Sequence, residues 1–156
     1  MDENDGAAVR VPPPFVYLGA LVLGIVVHAY ILPLPIPLST GLRIAAAMAT
    51  AALGLVFVAG AFRIFRRTGQ DPAPWKPTPE IISSGVYRIT RNPMYVGMAL
   101  LQTAIGIGLA NWWVVVLVPV VLAIVHATAV RHEERYLEDK FGDGYRRYKT
   151  TVRRWL

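Results

Sequence analysis

The chain has 156 residues, a length suited to one domain, and 54% of them are hydrophobic against 17% charged, with a mean hydropathy of +0.43. It contains no cysteine, which excludes disulfides, thiolate metal sites and a cysteine nucleophile. The formal net charge of +6 would suit a nucleic-acid binder, but the placement of the charges argues for a membrane and for no nucleic acid.

The N-terminal Met1 to Gly6 carries Asp2, Glu3 and Asp5 where a secretory signal would carry Lys or Arg, so a cleaved signal peptide is not expected. Pro12, Pro13 and Pro14 predict an extended lead-in. The apolar residues then come in blocks, predicting membrane spans at about 15–32, 40–62, 93–110 and 112–130. A helix rising 1.5 Å per residue needs roughly 20 apolar residues to cross a hydrocarbon core of about 30 Å. Burying four such helices in a soluble bundle would need more polar sequence than remains. The run Leu32 to Leu38, with Pro33, Pro35 and Pro37 in alternation, predicts an extended loop between the first two spans. Small residues four apart in the second span (Ala47 and Ala51, Val56 and Gly60) predict close helix packing.

A polar loop is expected over 63–92. It opens with Arg63, Arg66 and Arg67 and passes through a proline-rich stretch from Thr68 to Pro77. Asn92-Pro93 predicts the start of the third span, with Asn92 capping free amides and Pro93 at the first helical position. A helix N-terminus beside Arg91 would suit an anion. In the fourth span Pro119 predicts a kink, and His126, like His28 in the first span, more readily satisfies a neighbouring helix than binds a ligand. The segment 131–156 is expected to continue the helix through Glu138. There Arg131 with Glu134, and Arg135 with Glu138 and Asp139, stand at pairing distance along the chain. Beyond Gly142 and Gly144, Tyr145, Tyr148, Val152 and Trp155 recur at helical spacing among basic residues, predicting an amphipathic helix at the membrane interface.

Of the 16 Lys and Arg, six fall from Arg63 to Arg91 and eight from Arg131 to Arg154. An even number of spans puts both segments on one side. The positive-inside rule makes that side, and with it both termini, cytoplasmic. The expectation is a single all-α multi-pass integral membrane domain of about four transmembrane helices plus a C-terminal interfacial amphipathic helix.

Two segments together resemble the isoprenylcysteine carboxyl methyltransferase family of membrane enzymes and its prokaryotic relatives. The first is Gly85-x-Tyr87-Arg88-x-x-Arg91-Asn92-Pro93-x-Tyr95-x-Gly97. The second is Glu133-Glu134-x-x-Leu137-x-x-x-Phe141-Gly142-x-x-Tyr145-x-x-Tyr148. The resemblance covers the C-terminal half, from Thr68 onward. It implies methyl transfer from S-adenosylmethionine at the cytoplasmic membrane face, with the cofactor held between the signature helix and the C-terminal segment. A lipid-like or small apolar acceptor, bearing a carboxylate, amine or thiol, would enter from the bilayer. Carried onto this chain, the cofactor-binding set is Tyr87, Arg91, Asn92, Pro93, Tyr95, Glu133, Glu134, Leu137, Tyr145 and Tyr148. Arg154 would orient an acceptor carboxylate, and Glu134 would serve as base for an amine. The pattern departs from better-known members at Asn92, where they have His, and at Thr151, near which the eukaryotic enzymes place an Arg. Two other readings stand beside this one: an NADPH-dependent membrane reductase, and a non-catalytic scaffold binding anionic lipid.

Overall fold

The computed structural model of the protein describes residues 11–73 and 76–156. The acidic N-terminus lies outside the described residues, as do Pro74 and Trp75.

Helix α1 spans Pro13–Tyr30, with prolines in its first turn. The expected extended lead-in is therefore already helix from Pro13, because the first helical amides have no intrahelical acceptor and their loss costs nothing. Helix α2 spans Thr40–Thr68, six residues beyond the expected end of the second span. Arg63, Arg66 and Arg67 belong to its last turns and not to a loop. All three are good helix formers, Arg66 and Arg67 sit at the negative end of the helix dipole, and nothing breaks the pattern before Gly69. Gly69 closes the helix at φ +67°, its amide bonding to Phe65 O.

After a 3₁₀ turn at Gly85–Arg88 come α3 (Pro93–Gly108) and α4 (Trp112–Val125). Helix α4 runs through a π-turn at His126–Val130 into α5 (Arg131–Phe141), forming one continuous rod of 30 residues. Regular α-helical bonding thus gives way seven residues beyond Pro119. Gly142, at φ +53°, separates α5 from α6 (Asp143–Thr151). Residues 152–156 are non-helical, so Val152 and Trp155 do not continue an amphipathic helix as expected.

Three helices, Pro13–Tyr30, Thr40–Thr68 and Trp112–Phe141, are long and apolar enough to cross a membrane. At 16 residues α3 is about 24 Å long, shorter than a hydrocarbon core. The most apolar stretches of the three long helices are only 17%, 17% and 28% buried within the protein. Leu18, Val22, Leu53, Val56 and Ile124 stand exposed on them. That is the surface of an integral membrane protein, whose solvent on these faces is lipid.

The helices pack through glycine. A Cβ on Gly97 would lie 2.6 Å from Val58 Cγ2 and 2.9 Å from Gly54 O, so α3 approaches α2 backbone to backbone. Gly24 of α1 lies against Val114 of α4 in the same way. At one end of the bundle the proline-rich loop meets the α3–α4 turn, with Ile36 N donating to Ala110 O at 2.9 Å and Trp112 N to Leu34 O at 3.0 Å. Asn111 fastens this end: its Oδ1 caps α4 at Trp113 N and its Nδ2 donates to Gly24 O at 3.1 Å. At the other end Tyr17, Tyr95, Val125, Ala129 and Val130 form the core, with Trp155 packed against them.

Candidate functional site

The site lies at the basic end of the bundle, where α3 begins. Gly85, at φ +56°, starts the 3₁₀ turn that carries Tyr87. Val86 of that turn lies close against Gly60 of α2. The chain then enters α3 through Thr90-Arg91-Asn92, and the non-helical C-terminal segment is laid along these three residues. Arg91 N donates to Arg153 O at 2.9 Å. Thr90 Oγ1 donates to Arg154 O at 2.9 Å and Asn92 Nδ2 to the same carbonyl at 3.0 Å. Asn92 was expected to cap α3 with its side chain and does not, because that side chain is engaged by the Arg154 carbonyl. The helix does begin at Pro93.

Tyr145 and Tyr148 of α6 are buried, and Tyr148 donates through its hydroxyl to Tyr87 O at 2.7 Å. The apolar face of α6, expected against lipid, is turned onto the protein. Its basic face is outside: Lys149 and Arg146 reach across to Glu138 of α5 at 2.8 and 3.1 Å.

The two adjacent glutamates of α5 part company. Glu133 turns toward α3, where Tyr95 donates its hydroxyl to Glu133 Oε1. Glu134 takes two parallel bonds from Arg154, Nε to Oε1 at 2.9 Å and Nη2 to Oε2 at 2.8 Å, and a third contact from Arg91 Nη2 at 3.0 Å. The expected pairings along the helix, Arg131 with Glu134 and Arg135 with Glu138 or Asp139, are replaced by these pairings across elements.

A cavity opens among these elements. Tyr87, Arg91, Asn92, Pro93, Tyr95, Glu133, Leu137, Tyr145 and Tyr148, all in the expected cofactor set, line it together. Glu134 and Arg154 do not line it. They face a separate polar groove along α5, and the Arg91–Glu134 pair stands between the two spaces. Sequence reasoning missed the outer wall, built by Gln70, Asp71 and Pro72 with Thr78, Ile81 and Ile82. Gln70 Nε2 ties this loop across to Glu80 O, Asp71 Oδ1 accepts from Ala73 N at 2.8 Å, and Thr78 N donates to the Tyr136 hydroxyl. The only signal for it was the proline-rich composition, which specifies an irregular chain without saying what the chain covers.

Electrostatically the cavity is divided. The apolar stretch of the long rod ends at Val130, and Glu133 stands beyond it in the charged turns. Burial, opposed by the Tyr95 hydrogen bond and reinforced by the charge of Glu134, pushes Glu133 up to about 7. Burial also raises the Tyr87 and Tyr145 phenols above their ordinary value and takes Tyr148 up to about 12, so all three stay neutral hydrogen-bond donors. Arg91 supplies the positive side. Its side chain is 8% exposed, and its Nε is buried with no hydrogen-bond partner among the described residues. A carboxylate, a guanidinium with an unused N–H, uncapped amides at the α3 start and several aromatic rings fit a zwitterionic ligand with an aromatic part.

The family model of phospholipid methyltransferases matches residues 42–144, which takes in α2 from its third residue, α3, α4, α5 and every cavity residue up to the start of α6. An uncharacterized protein of Haemophilus influenzae is 41% identical over 63 residues, 40% of this chain and the whole of that relative. With two thirds of its length inside that model, the chain belongs to the phospholipid methyltransferase family of membrane methyltransferases.

Proposed function

We propose that this protein transfers a methyl group from S-adenosylmethionine to a lipid-like acceptor at the cytoplasmic face of the membrane. One observation carries the reading: Glu133 and Arg91 face a single cavity walled by tyrosines at the start of α3. A cavity for an amino acid needs a carboxylate and a cation set apart, and one for a sulfonium gains from aromatic faces.

When bound, S-adenosylmethionine supplies an electrophilic methyl group. Glu133 receives the ammonium, and Arg91, with the first amides of α3, receives the carboxylate. Tyr87, Tyr95, Tyr145 and Tyr148 supply ring faces and hydroxyls, Asn92 and Pro93 line the cavity at the start of α3, and Leu137 with Gln70, Asp71, Thr78, Ile81 and Ile82 covers the adenosyl part. Methyl transfer asks the protein chiefly for alignment, so rigid placement of these groups is its main contribution. Glu134 and Arg154, expected as base and acceptor-binding group, act here on Arg91 and on the C-terminal segment. Direct chemistry by either requires their mutual pair to open.

In this reading the chain is one membrane domain, α3 completes a fourth crossing, and the basic segments place both termini in the cytoplasm. The acceptor, a carboxylate, amine or thiol on an apolar carrier, reaches the cavity from the bilayer.

The test is calorimetric titration of detergent-purified protein with S-adenosylhomocysteine, and with NADPH in parallel. Micromolar binding of the adenosyl ligand, weakened at least about tenfold by Glu133→Gln, is expected, since the variant loses a charge-assisted bond. Binding of NADPH alone would transfer the reading to a reductase, and silence for both would remove the enzymatic one.

A further inference from the structure

The groove beside α5 lies outside the methyl-transfer machinery. It is walled by His126 of the π-turn, Arg131 and Arg135 of α5, Lys149 of α6 and Arg154 of the C-terminal segment, with Glu134, Glu138 and Asp139. Two of its carboxylates are already matched. Glu134 is held by Arg91 and Arg154, and Glu138 by Arg146 and Lys149. Arg131 and Arg135 have no ion-pair or hydrogen-bond partner among the described residues. They stand one helical turn apart, roughly 6 Å between their Cβ atoms, a spacing that lets two guanidiniums converge on one phosphate. Asp139 is the single carboxylate of the groove outside these pairs, so positive charge is in excess.

His126 adds a directional feature. Its Nδ1 is buried with no partner among the described residues. Polar contact between this side chain and a ligand in the groove therefore falls to Nε2, which donates when it carries the ring hydrogen.

The groove also has a membrane side. Val116, Val120 and Ile124 are exposed at four-residue spacing along α4, a lipid-facing stripe that runs up to the π-turn where the groove begins. The apolar stretch of the rod ends at Val130, so acyl chains beside it bring their headgroups to the height of Arg131 and Arg135, and the π-turn sets the groove roughly a quarter turn around the rod from the stripe.

We infer that this groove is a binding site for the phosphodiester headgroup of an anionic membrane lipid, held by Arg131 and Arg135 with His126 as a further donor. The site is distinct from the cavity, being walled off from it by the Arg91–Glu134 pair, and it does not depend on the methyl-transfer reading.

The experiment is calorimetric titration of the full chain in dodecyl maltoside with dioctanoyl phosphatidylglycerol, dioctanoyl phosphatidylcholine and inorganic phosphate. Saturable binding of phosphatidylglycerol is expected, about tenfold or more tighter than that of phosphatidylcholine. Arg131→Gln with Arg135→Gln abolishes that preference, with the thermal midpoint unchanged as the check on folding. The conservative pair Arg131→Lys with Arg135→Lys retains it. Arg66→Gln with Arg67→Gln, at the basic end of α2, leaves it as in the wild type. Three results each overturn the inference: unaltered phosphatidylglycerol binding in the glutamine pair at 131 and 135, an equal loss in the pair on α2, or inorganic phosphate binding as tightly as the lipid, which would mark a soluble-anion site.

Discussion

Arg154 grips Glu134 through both oxygens of the carboxylate, and Arg91 reaches one of the same oxygens at 3.0 Å. The cluster joins α5, the entry to α3 and the C-terminal segment, and its members differ in their contact with solvent. The side chains of Arg91 and Glu134 are 8% and 11% exposed, whereas that of Arg154 is 38% exposed.

That difference orders the mutational effects. Glu134→Ala leaves the buried Arg91 charge without a partner, a loss of about 3 kcal/mol. Arg154→Ala leaves Glu134 still paired with Arg91 and loses a partly solvated contact of about 1 kcal/mol. Thermal unfolding in detergent should therefore show the larger fall for Glu134→Ala. The reverse order would mean that Arg91 does not depend on Glu134.

Glu133 gives the protein a pH dependence. Its folded-state value is about 7 against an ordinary 4.5, so the folded state holds the proton more tightly than the unfolded one. The associated stability is complete below about pH 4.5 and is lost as pH rises through about 7. Ligand binding runs the other way, because only the ionised carboxylate attracts an ammonium. Affinity for S-adenosylhomocysteine should rise between about pH 5 and pH 7, by at most about tenfold per unit, and then level off. Calorimetry across this range should show the slope in the wild type and none in Glu133→Gln.

The approach of α2 to α3 leaves no room for a methyl group. Gly97→Ala sets a Cβ 2.6 Å from Val58 Cγ2 and 2.9 Å from the backbone oxygen of Gly54, and should cost about 1–3 kcal/mol. Gly19→Ala, where nothing lies within 4 Å, should be neutral or stabilise by up to about 1 kcal/mol. Paired thermal melts separate the two, and equal midpoints would show that the helices can part without loss.

Asn92 holds the Arg154 carbonyl through an N–H donor. Histidine also offers an N–H, which accounts physically for the interchange of Asn and His in the signature. Asn92→His should keep the C-terminal segment docked. Asn92→Asp, which places an acceptor against an acceptor, should release it at a cost of about 1–3 kcal/mol. Carboxypeptidase trimming of Trp155 and Leu156 reads this directly, with faster release expected for Asp alone.

The apolar blocks revealed the long helices because lipid-facing sequence has a composition no loop shares. The end of α2 was hidden, since Arg63, Arg66 and Arg67 read equally well as loop or as helix emerging from a membrane. Tyr145 and Tyr148 were recognised as one face of a helix, but periodicity does not say whether that face meets lipid or protein, and here it meets the Tyr87 turn. Glu133 and Glu134 were both placed in the cofactor set, with Glu134 alone given the further role of base. Which of them faces the cavity depends on the phase of α5, and the preceding π-turn makes that phase unreadable from spacing.

The π-turn sets the phase of the helix that follows it. It holds one residue more than an α-helical turn, so everything beyond Val130 is rotated by roughly 100° from where an uninterrupted helix would carry it. The rod from Trp112 to Phe141 is therefore two screws with separate threads. The phase set beyond the π-turn is the one that turns Glu133 toward Tyr95. Removal of a single residue between His126 and Val130 would realign the threads and unseat the pair.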